Sequence, residues 1–215
     1  MSVMTIHLLR HGEVHNPRDV LYGRLPGYVL SSRGHLMAER VAQELRDGDH
    51  QIDLVLASPL ERAQQTARPI AEAFGLPVGI EDRIIEADNS FEGTTGTDRR
   101  RQFANPKYWG RYVNPFRPSW GEPYVDLVAR MIEAVRAARQ ELSRRQGAEA
   151  VLVSHQLPIW STRLFLERRR LWHDPRKRQC SLASLTSLRF NGERLVGLSY
   201  WEPAADLLIG AHDLH

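Results

Sequence analysis

The sequence predicts an α/β fold built on a mostly parallel sheet, on three grounds. Short apolar segments, each long enough for a buried strand, occur at 6–9, 53–57 and 151–154. The second and third are followed directly by helical patterns, and strands that alternate with helices form parallel sheets. Near the end of the chain, 184–190 and 194–201 alternate apolar and polar residues across Asn191-Gly192. That pair is typical of a two-residue hairpin turn, so a late antiparallel element joins the sheet.

Length and composition indicate one globular domain over residues 1–215. With 42% hydrophobic residues the chain can bury a substantial core, and no apolar run reaches the length of a membrane span. Arg10 interrupts the first apolar stretch, so we expect no leader peptide. The single cysteine, Cys180, excludes an internal disulfide framework. We therefore expect a cytoplasmic protein with no membrane partner.

The first strand ends in Arg10-His11-Gly12, which places a guanidinium beside an imidazole. Ligands of open α/β sheets bind at the carboxyl ends of the strands, so this is a candidate anion site. Arg10 can hold a phosphate by two parallel hydrogen bonds, and a neutral ring nitrogen of His11 can attack phosphorus. Gly12 lets the backbone turn tightly next to the anion. Taken alone, the three residues also fit a structural loop.

Apolar residues at helical spacing predict two helices outside the candidate site. The first covers 34–47 and is stopped by Gly48-Asp49. The second and longest opens at Glu122-Pro123 and is terminated by Gly147. The residues expected on the apolar faces are Leu36, Met37, Val41, Ala42 and Leu45 in the first helix and Val125, Val128, Met131, Ile132, Val135 and Leu142 in the second.

A third helix follows the second strand and carries a candidate anion ligand. Ser58 and Glu61 form an S-x-x-E capping box, and Pro59 suits the first helical position. Arg62 therefore lies in the first turn, where a bound anion would also meet the helix N-terminus. If this segment stood alone, Arg62 would be read as a surface residue. We expect Pro69 to kink or restart the helix.

Two further segments contain candidate catalytic side chains. His155 follows the third strand just as His11 follows the first. Two histidines at two strand ends, each beside a candidate anion-binding element, favour a functional role over simple packing. Glu86 follows the apolar pair Ile84-Ile85, with Gly93 shortly downstream. By itself, Glu86 is as readily a surface acid as a functional one.

These four segments together resemble the histidine phosphatase superfamily, which contains cofactor-dependent phosphoglycerate mutases and many small phosphatases. The resemblance covers about residues 5–200 and implies a three-layer α/β/α sandwich and a phosphohistidine intermediate. The catalytic positions that it implies are His11 as nucleophile, Arg10, Arg62 and His155 around the phosphoryl group, and Glu86 as proton donor. The mutase pattern Glu-Arg-His-Tyr-Gly is absent around this acid, so Asp88 and Glu92 are alternatives to Glu86.

The resemblance also implies residues that line the phosphate pocket. Asn16 and the Tyr22-Gly23-Arg24 loop match positions after the first motif that usually have this role. Gln156 stands where the family often has glycine, and its side chain could hydrogen-bond the substrate. We expect no cofactor and no metal, since His11, His15 and His35 are unaccompanied by a suitable carboxylate set.

The motif pattern favours a phosphomonoesterase that acts on a small phosphorylated metabolite. A mutase is the alternative, disfavoured because mutases of this family are usually longer and have the fuller motif around the acid. A catalytically idle phosphate-binding domain is a third reading, against which the intact Arg10, His11, Arg62 and His155 argue. The sequence leaves open the physiological substrate and the oligomeric state, a homodimer included.

Two segments have roles that are less well defined. Residues 94–121 mix aromatic side chains with arginines and are interpreted as a lid over the site; the alternative is a packed loop.

The basic segment 168–178 suggests a nucleic-acid surface. The net charge is only +3 and no nucleic-acid motif is present, so a solvated surface or a steering patch for anionic substrates is favoured.

Overall fold

A sheet of six strands, counted over the described residues 3–95, 121–143 and 148–212 of the computed structural model, forms the centre of the fold. The strands are β1 (Val3–Arg10), β2 (Ile52–Ala57), β3 (Val78–Ile80), β4 (Glu149–Ser154), β5 (Leu185–Asn191) and β6 (Arg194–Trp201). Their order is β3-β2-β4-β1-β5-β6. Neighbours from β3 to β1 are parallel, whereas β5 is antiparallel to both β1 and β6. The mostly parallel sheet with a late antiparallel element is confirmed.

Helices cover both faces of the sheet. The α-helices of the described segments are α1 (Ser32–Asp47), α2 (Glu61–Phe74), α3 (Tyr124–Leu142) and α4 (Gln156–Leu166). Apolar side chains of α1 and α2 pack with Leu9 and Val153 on one face. Those of α3 and α4 pack with Leu8 and Leu152 on the other. The predicted three-layer α/β/α sandwich is therefore observed, and no helix within the described residues is long and apolar enough to cross a membrane.

The hairpin between β5 and β6 turns one residue later than predicted. Asn191 pairs with Arg194 at the end of the ladder, so the turn consists of Gly192 and Glu193. Gly192 has φ +59°, a backbone conformation that glycine adopts without the strain that a Cβ brings. The Asn191-Gly192 turn prediction is therefore wrong in register, although the hairpin itself is present.

The apolar faces of α1 and α3 are largely as predicted, with two exceptions. Leu36 and Val125 are 53% and 70% exposed, respectively, because each lies off the stripe that faces the sheet. In α3 that stripe includes Leu127, which is fully buried and which the prediction omitted. Apolar character alone did not separate Val125 from its buried neighbours.

The start of α2 differs from the predicted capping box. The helix begins at Glu61 with the apolar Leu60 at its cap position. The Ser58 hydroxyl instead lies 2.8 Å from Nε2 of His155, so a long-range partner replaces the local cap. Arg62 still lies in the first turn, as predicted, and the helix continues through Pro69 without a restart.

Two glycines allow the start of α1 to pack against the loop that follows β1. The Ser31 side chain caps α1 by accepting from the Gly34 amide at 3.0 Å. A Cβ on Gly34 would lie 2.1 Å from the carbonyl oxygen of Glu13, and one on Gly12 would lie 2.6 Å from the Gly34 carbonyl oxygen. Only residues without a Cβ fit this close approach, which fixes the loop next to His11.

Candidate active site

Four predicted side chains meet at the carboxyl edge of the sheet. Arg10 pairs with Ser154 in the parallel β1–β4 ladder, so the histidines that follow these strands are neighbours. The rings of His11 and His155 are 5.2 Å apart between centroids. Arg62 links them, since its Nε donates to Nε2 of His11 and its Nη2 to Nδ1 of His155, both at 3.3 Å. All four side chains are buried.

His11 is held in the tautomer that a nucleophile requires. Its Nδ1 lies 2.8 Å from the Gly12 carbonyl oxygen, to which it donates, so the lone pair remains on Nε2. Burial lowers the pKa of His11 well below its usual value, and the charges of Arg62 and Arg10 lower it further. The imidazole is therefore neutral near pH 7, and the lone pair on its Nε2 accepts from Arg62.

His155 has a similar environment but a different hydrogen-bond partner. Its Nε2 contacts the Ser58 hydroxyl at 2.8 Å, and its Nδ1 accepts from Arg62. Burial lowers the pKa of His155 well below its usual value, with further lowering from Arg62, His11 and Arg10. In this arrangement the neutral ring has its proton on Nε2 and donates to Ser58. Because a serine hydroxyl can also donate, Ser58 fits the other tautomer once Arg62 no longer donates to Nδ1.

The Tyr22-Gly23 segment fixes the guanidinium of Arg62. Nη2 of Arg62 donates to the Gly23 carbonyl oxygen at 2.6 Å, and its central carbon lies 4.7 Å from the centre of the Tyr22 ring. Tyr22 in turn stacks on Tyr28. The two residues predicted to line the pocket therefore position Arg62, which donates to both histidines.

Glu86 lies within reach of the arginine charges of the site. Its half-buried carboxyl accepts from the Ala87 amide at 2.8 Å. Burial raises the pKa of Glu86, although the Ala87 hydrogen bond and the charges of Arg62, Arg178 and Arg10 oppose the rise. A carboxyl with a raised pKa holds its proton to higher pH, as a proton donor must.

The two alternative acids are in less suitable places. Asp88 is exposed to solvent. The Oε1 atom of Glu92 accepts from the Arg24 amide at 2.8 Å, and Glu92 packs closely against Gly23. Of the three candidates, Glu86 has the environment that favours a protonated carboxyl.

A bracket of two arginines and one glutamate positions the main chain of Glu86. Arg24 Nε donates to the Glu86 carbonyl oxygen at 2.7 Å, and Arg130 Nη2 donates to it at 3.2 Å. Both arginines also pair with the carboxylate of Glu122. The sequence predicted Arg24 as a pocket residue, but it missed Arg130 and Glu122, whose distances along the chain have no motif signature.

The remaining predicted substrate ligands have other partners. Asn16 exchanges two hydrogen bonds with the Val20 backbone and so closes its own loop. Gln156 Oε1 accepts from Arg178 Nη1 at 3.1 Å, whereas its buried Nε2 makes no hydrogen bond to the described residues. Arg178 also donates to His173 at 2.8 Å. The basic segment 168–178 therefore ends in a half-buried arginine next to the site, a residue that sequence reasoning assigned to the surface.

Most of the predicted lid lies outside the described residues. The structure describes 94–95 and residue 121, where Thr95 pairs with Val20 and Gly121 with Asn89. The aromatic and basic residues on which the lid interpretation rests are Trp109, Arg111, Tyr112, Phe116, Arg117 and Trp120, all outside the described ranges.

Among the described residues, one group of side chains has the composition of a metal site, and it is separate from the histidine pair. His7, His50 and Glu149 bring three potential ligand atoms within 4.8 Å of one another. They lie 43 and 99 positions apart along the chain, so no ligand spacing was visible in the sequence. The site around His11 contains two arginines, which disfavour a divalent cation there.

The chain is similar to known proteins over most of its length. A family model of the histidine phosphatase superfamily (branch 1) matches residues 6–202. Rv0525 of Mycobacterium tuberculosis is 52% identical over 200 residues, covering 93% of this chain and 96% of that protein. A 2,3-bisphosphoglycerate-dependent phosphoglycerate mutase of Thermoplasma acidophilum is 30% identical over 154 residues, covering 71% of this chain and 70% of that enzyme.

A solved structure has the same fold over most of this chain. The mycobacterial glucosyl-3-phosphoglycerate phosphatase Rv2419c superimposes with a TM-score of 0.72 at 25% identity, covering 93% of this chain and 99% of that one. This chain therefore belongs to the histidine phosphatase superfamily, branch 1.

Proposed function

We propose that this protein is a phosphomonoesterase that hydrolyses a small organic phosphate through a phosphohistidine at His11. The observation that carries the proposal is the state of His11: a neutral imidazole whose Nδ1 donates to Gly12 and whose Nε2 keeps its lone pair, which accepts a long hydrogen bond of 3.3 Å from Arg62. That atom lies beside Arg62 and near Arg10, two guanidiniums suited to a phosphate dianion.

Substrate binding exchanges one set of hydrogen bonds for another. In the free protein, Arg62 donates weakly, at 3.3 Å, to the two imidazoles. A phosphate between the histidines gives this guanidinium charged acceptors, and Arg10 adds a second cation. The positive charge that lowers the histidine pKa values in the free protein then balances the charge of the substrate.

The first phosphoryl transfer forms a bond between His11 Nε2 and phosphorus while the ester bond breaks. The leaving oxygen takes a proton from Glu86, whose raised pKa keeps the carboxyl protonated. Arg10, Arg62 and His155 stabilise charge on the equatorial oxygens. For His155 to donate, its proton must sit on Nδ1, and the Ser58 hydroxyl can support that tautomer by donating to Nε2.

The second transfer returns the site to its starting state. Water attacks the phosphohistidine, the Glu86 carboxylate accepts the proton, and His11 leaves with its lone pair restored on Nε2. Glu86 is half-buried rather than sealed, which suits access for this water. No step in this sequence requires a metal or a cofactor.

A phosphoglycerate mutase is the second candidate, favoured by the similarity to the Thermoplasma enzyme. The segment after Glu86 reads Ala-Asp-Asn-Ser-Phe-Glu-Gly in place of the mutase pattern. The solved structure that superimposes on 93% of this chain is a phosphatase. These two observations favour transfer to water.

Trapping the intermediate tests the proposal. Brief incubation with a 32P-labelled phosphomonoester and an alkaline quench should leave an acid-labile phosphoryl group on the protein. His11→Ala should abolish both the trapped label and phosphate release, whereas His15→Ala, at an exposed position, should preserve both. Turnover of His11→Ala at the wild-type rate would overturn the proposal.

A further inference from the structure

We propose that His7, His50 and Glu149 form a zinc-binding site on the α1 side of the sheet, with water completing the coordination. The site is independent of the phosphoryl chemistry. Its ligands come from the middle of β1, the loop between α1 and β2, and the first residue of β4. Nε2 of His7 and Nδ1 of His50 lie 3.1 Å and 2.7 Å from the same carboxylate oxygen, Oε2 of Glu149.

The geometry is close to that of a tetrahedral ion. Zinc bonds to nitrogen and oxygen of about 2.0–2.1 Å hold neighbouring donor atoms about 3.3 Å apart. Two of the separations here are 3.1 Å and 2.7 Å, and all three donor atoms lie within 4.8 Å of one another. Small side-chain rotations therefore suffice for all three atoms to reach one ion.

The donor set selects the class of metal. Two imidazoles and one carboxylate suit zinc and neighbouring transition metals, whereas calcium and magnesium prefer oxygen ligands alone. The side chains of His50 and Glu149 are 27% and 18% exposed, which gives an ion a route in and leaves room for a bound water. His7 is buried and forms the inner wall of the site.

Each ligand is held in place by a second contact. Nδ1 of His7 lies 2.7 Å from the Ser187 hydroxyl, the kind of outer partner that orients a metal-bound imidazole. His50 stacks on Trp201 and lies against Gly48, where a Cβ would be only 3.1 Å from its ring. Glu149 is anchored by its place in the β4 ladder. Such fixed side chains lose little freedom on binding an ion.

Metal binding changes the hydrogen bonds in a balanced way. Without an ion, Nε2 of His7 and Nδ1 of His50 donate to Glu149, and the Ser187 hydroxyl meets Nδ1 of His7. With an ion, Nε2 of His7 and Nδ1 of His50 present lone pairs, and the remaining ring protons sit on the opposite nitrogens. Ser187 then accepts from His7, so both buried ring nitrogens of His7 stay satisfied in both states.

Calorimetry on chelator-treated protein tests the site. We expect one equivalent of Zn²⁺ to bind with a Kd of about 10 µM or tighter. His50→Gln keeps a donor for Glu149 but removes the imidazole ligand, so it should weaken binding at least about tenfold. His35→Gln is the matched control, since His35 is an exposed histidine on α1 and should bind zinc like the wild type.

A spectroscopic measurement distinguishes this site from adventitious binding. Co²⁺ in a site of this type should give visible absorption in the wild type and in His35→Gln, but not in His50→Gln. Circular dichroism checks that each variant is folded, and Glu149→Gln provides a second variant should His50→Gln be unfolded. Absence of stoichiometric zinc binding in the wild type, or equal affinity in His50→Gln, would overturn the proposal.

Discussion

At the scale of the residue, the site is organised by one buried guanidinium shared between two neutral imidazoles. Arg62 donates to both His11 and His155, and its charge helps to keep both rings unprotonated. A site with arginine cations and neutral histidines has an excess of positive charge, which a phosphate dianion neutralises. Nucleophilicity and anion affinity therefore arise from the same arrangement.

The role of Glu86 can be separated from that of its neighbours by the choice of leaving group. Glu86→Gln should slow an alkyl phosphate by about 10²–10⁴-fold, because the alkoxide leaves without its proton. An aryl phosphate such as p-nitrophenyl phosphate needs little protonation and should lose much less. The comparison is made on kcat/KM for the two substrates in wild type and variant.

Matched variants of the other acids serve as controls for Glu86. Asp88→Asn changes an exposed carboxylate and should alter the two substrates alike, by a small factor. Equal slowing of aryl and alkyl phosphates by Glu86→Gln would contradict the assignment. A selective loss in Glu92→Gln would then identify Glu92 as the acid.

The pKa shifts predict the pH dependence of the reaction. The pKa of His11 is lowered, chiefly by burial, so the neutral nucleophile persists below the usual imidazole range as pH falls. The pKa of Glu86 is raised by burial, so the protonated acid persists above the usual carboxyl range and is lost as pH rises further. The rate with an alkyl phosphate should therefore fall at both extremes.

Rates measured from about pH 4 to about pH 9 test both the acidic fall and the alkaline fall, that is, the two limbs of the pH profile. Glu86→Gln cannot ionise, so its residual activity should lack the alkaline fall that the wild type shows, once ionisation of the substrate phosphate is accounted for. An unchanged alkaline limb in this variant would assign that limb to another group.

At the scale of the element, strand ends were the most predictable features. Since parallel strands share one carboxyl edge, the positions of His11 and His155 after two strands were enough to bring them together. The local pattern at Ser58 was misleading, because a hydroxyl that could cap α2 contacts His155 instead. Sequence periodicity cannot weigh a local hydrogen bond against one that crosses 97 residues.

The residues that hold the main chain of Glu86 could not be predicted from the sequence. Glu122 lies just before α3, and Arg130 lies within α3, eight positions later. Together with Arg24, they hold the main chain of Glu86 in place. Their role depends on how α3 packs against the segment after β3. No period or motif encodes that packing, so only the three-dimensional arrangement reveals the bracket.

The contact between α1 and the loop after β1 gives a prediction about stability. In Gly34→Ala, greater helix propensity would stabilise by up to about 1 kcal/mol. The new Cβ, however, would lie 2.1 Å from the Glu13 carbonyl oxygen, and a backbone atom cannot rotate away. Overpacking of this kind costs about 1–3 kcal/mol, so the net effect should be a loss of unfolding free energy.

Urea unfolding of Gly34→Ala against Leu36→Ala measures this effect. Leu36 is exposed on the same helix, and its replacement should change the unfolding free energy by less than about 0.5 kcal/mol. Because the displaced loop holds His11, Gly34→Ala should also lower kcat. Stability equal to that of the wild type would mean that α1 can shift away from the loop without cost.

At the scale of the whole molecule, several arginine charges of the described residues converge on the site although the net charge is small. The net charge of the 215 residues is only +3, yet Arg10, Arg62 and Arg178 all act on Glu86 from within the site. Arg24 and Arg130 share the carboxylate of Glu122, whereas Arg178 is held by His173 and Gln156, which carry no negative charge. Among the described residues, three arginine charges therefore converge where a phosphorylated substrate would bind.

The fate of the phosphoryl group distinguishes the two candidate activities of the whole protein. With 3-phosphoglycerate and a catalytic amount of 2,3-bisphosphoglycerate, a mutase must return the phosphoryl group to the glycerate before water reaches it. Here the segment after Glu86 lacks the mutase pattern, and Glu86 is half-buried rather than fully buried. Release of inorganic phosphate should therefore exceed formation of 2-phosphoglycerate by at least about tenfold, which corresponds to about 1.4 kcal/mol between the two barriers.

Parallel assays of phosphate and of isomerised product, with and without chelator, measure the ratio. Interconversion that outpaces phosphate release would establish the mutase, and loss of either activity in chelator would show that a metal takes part.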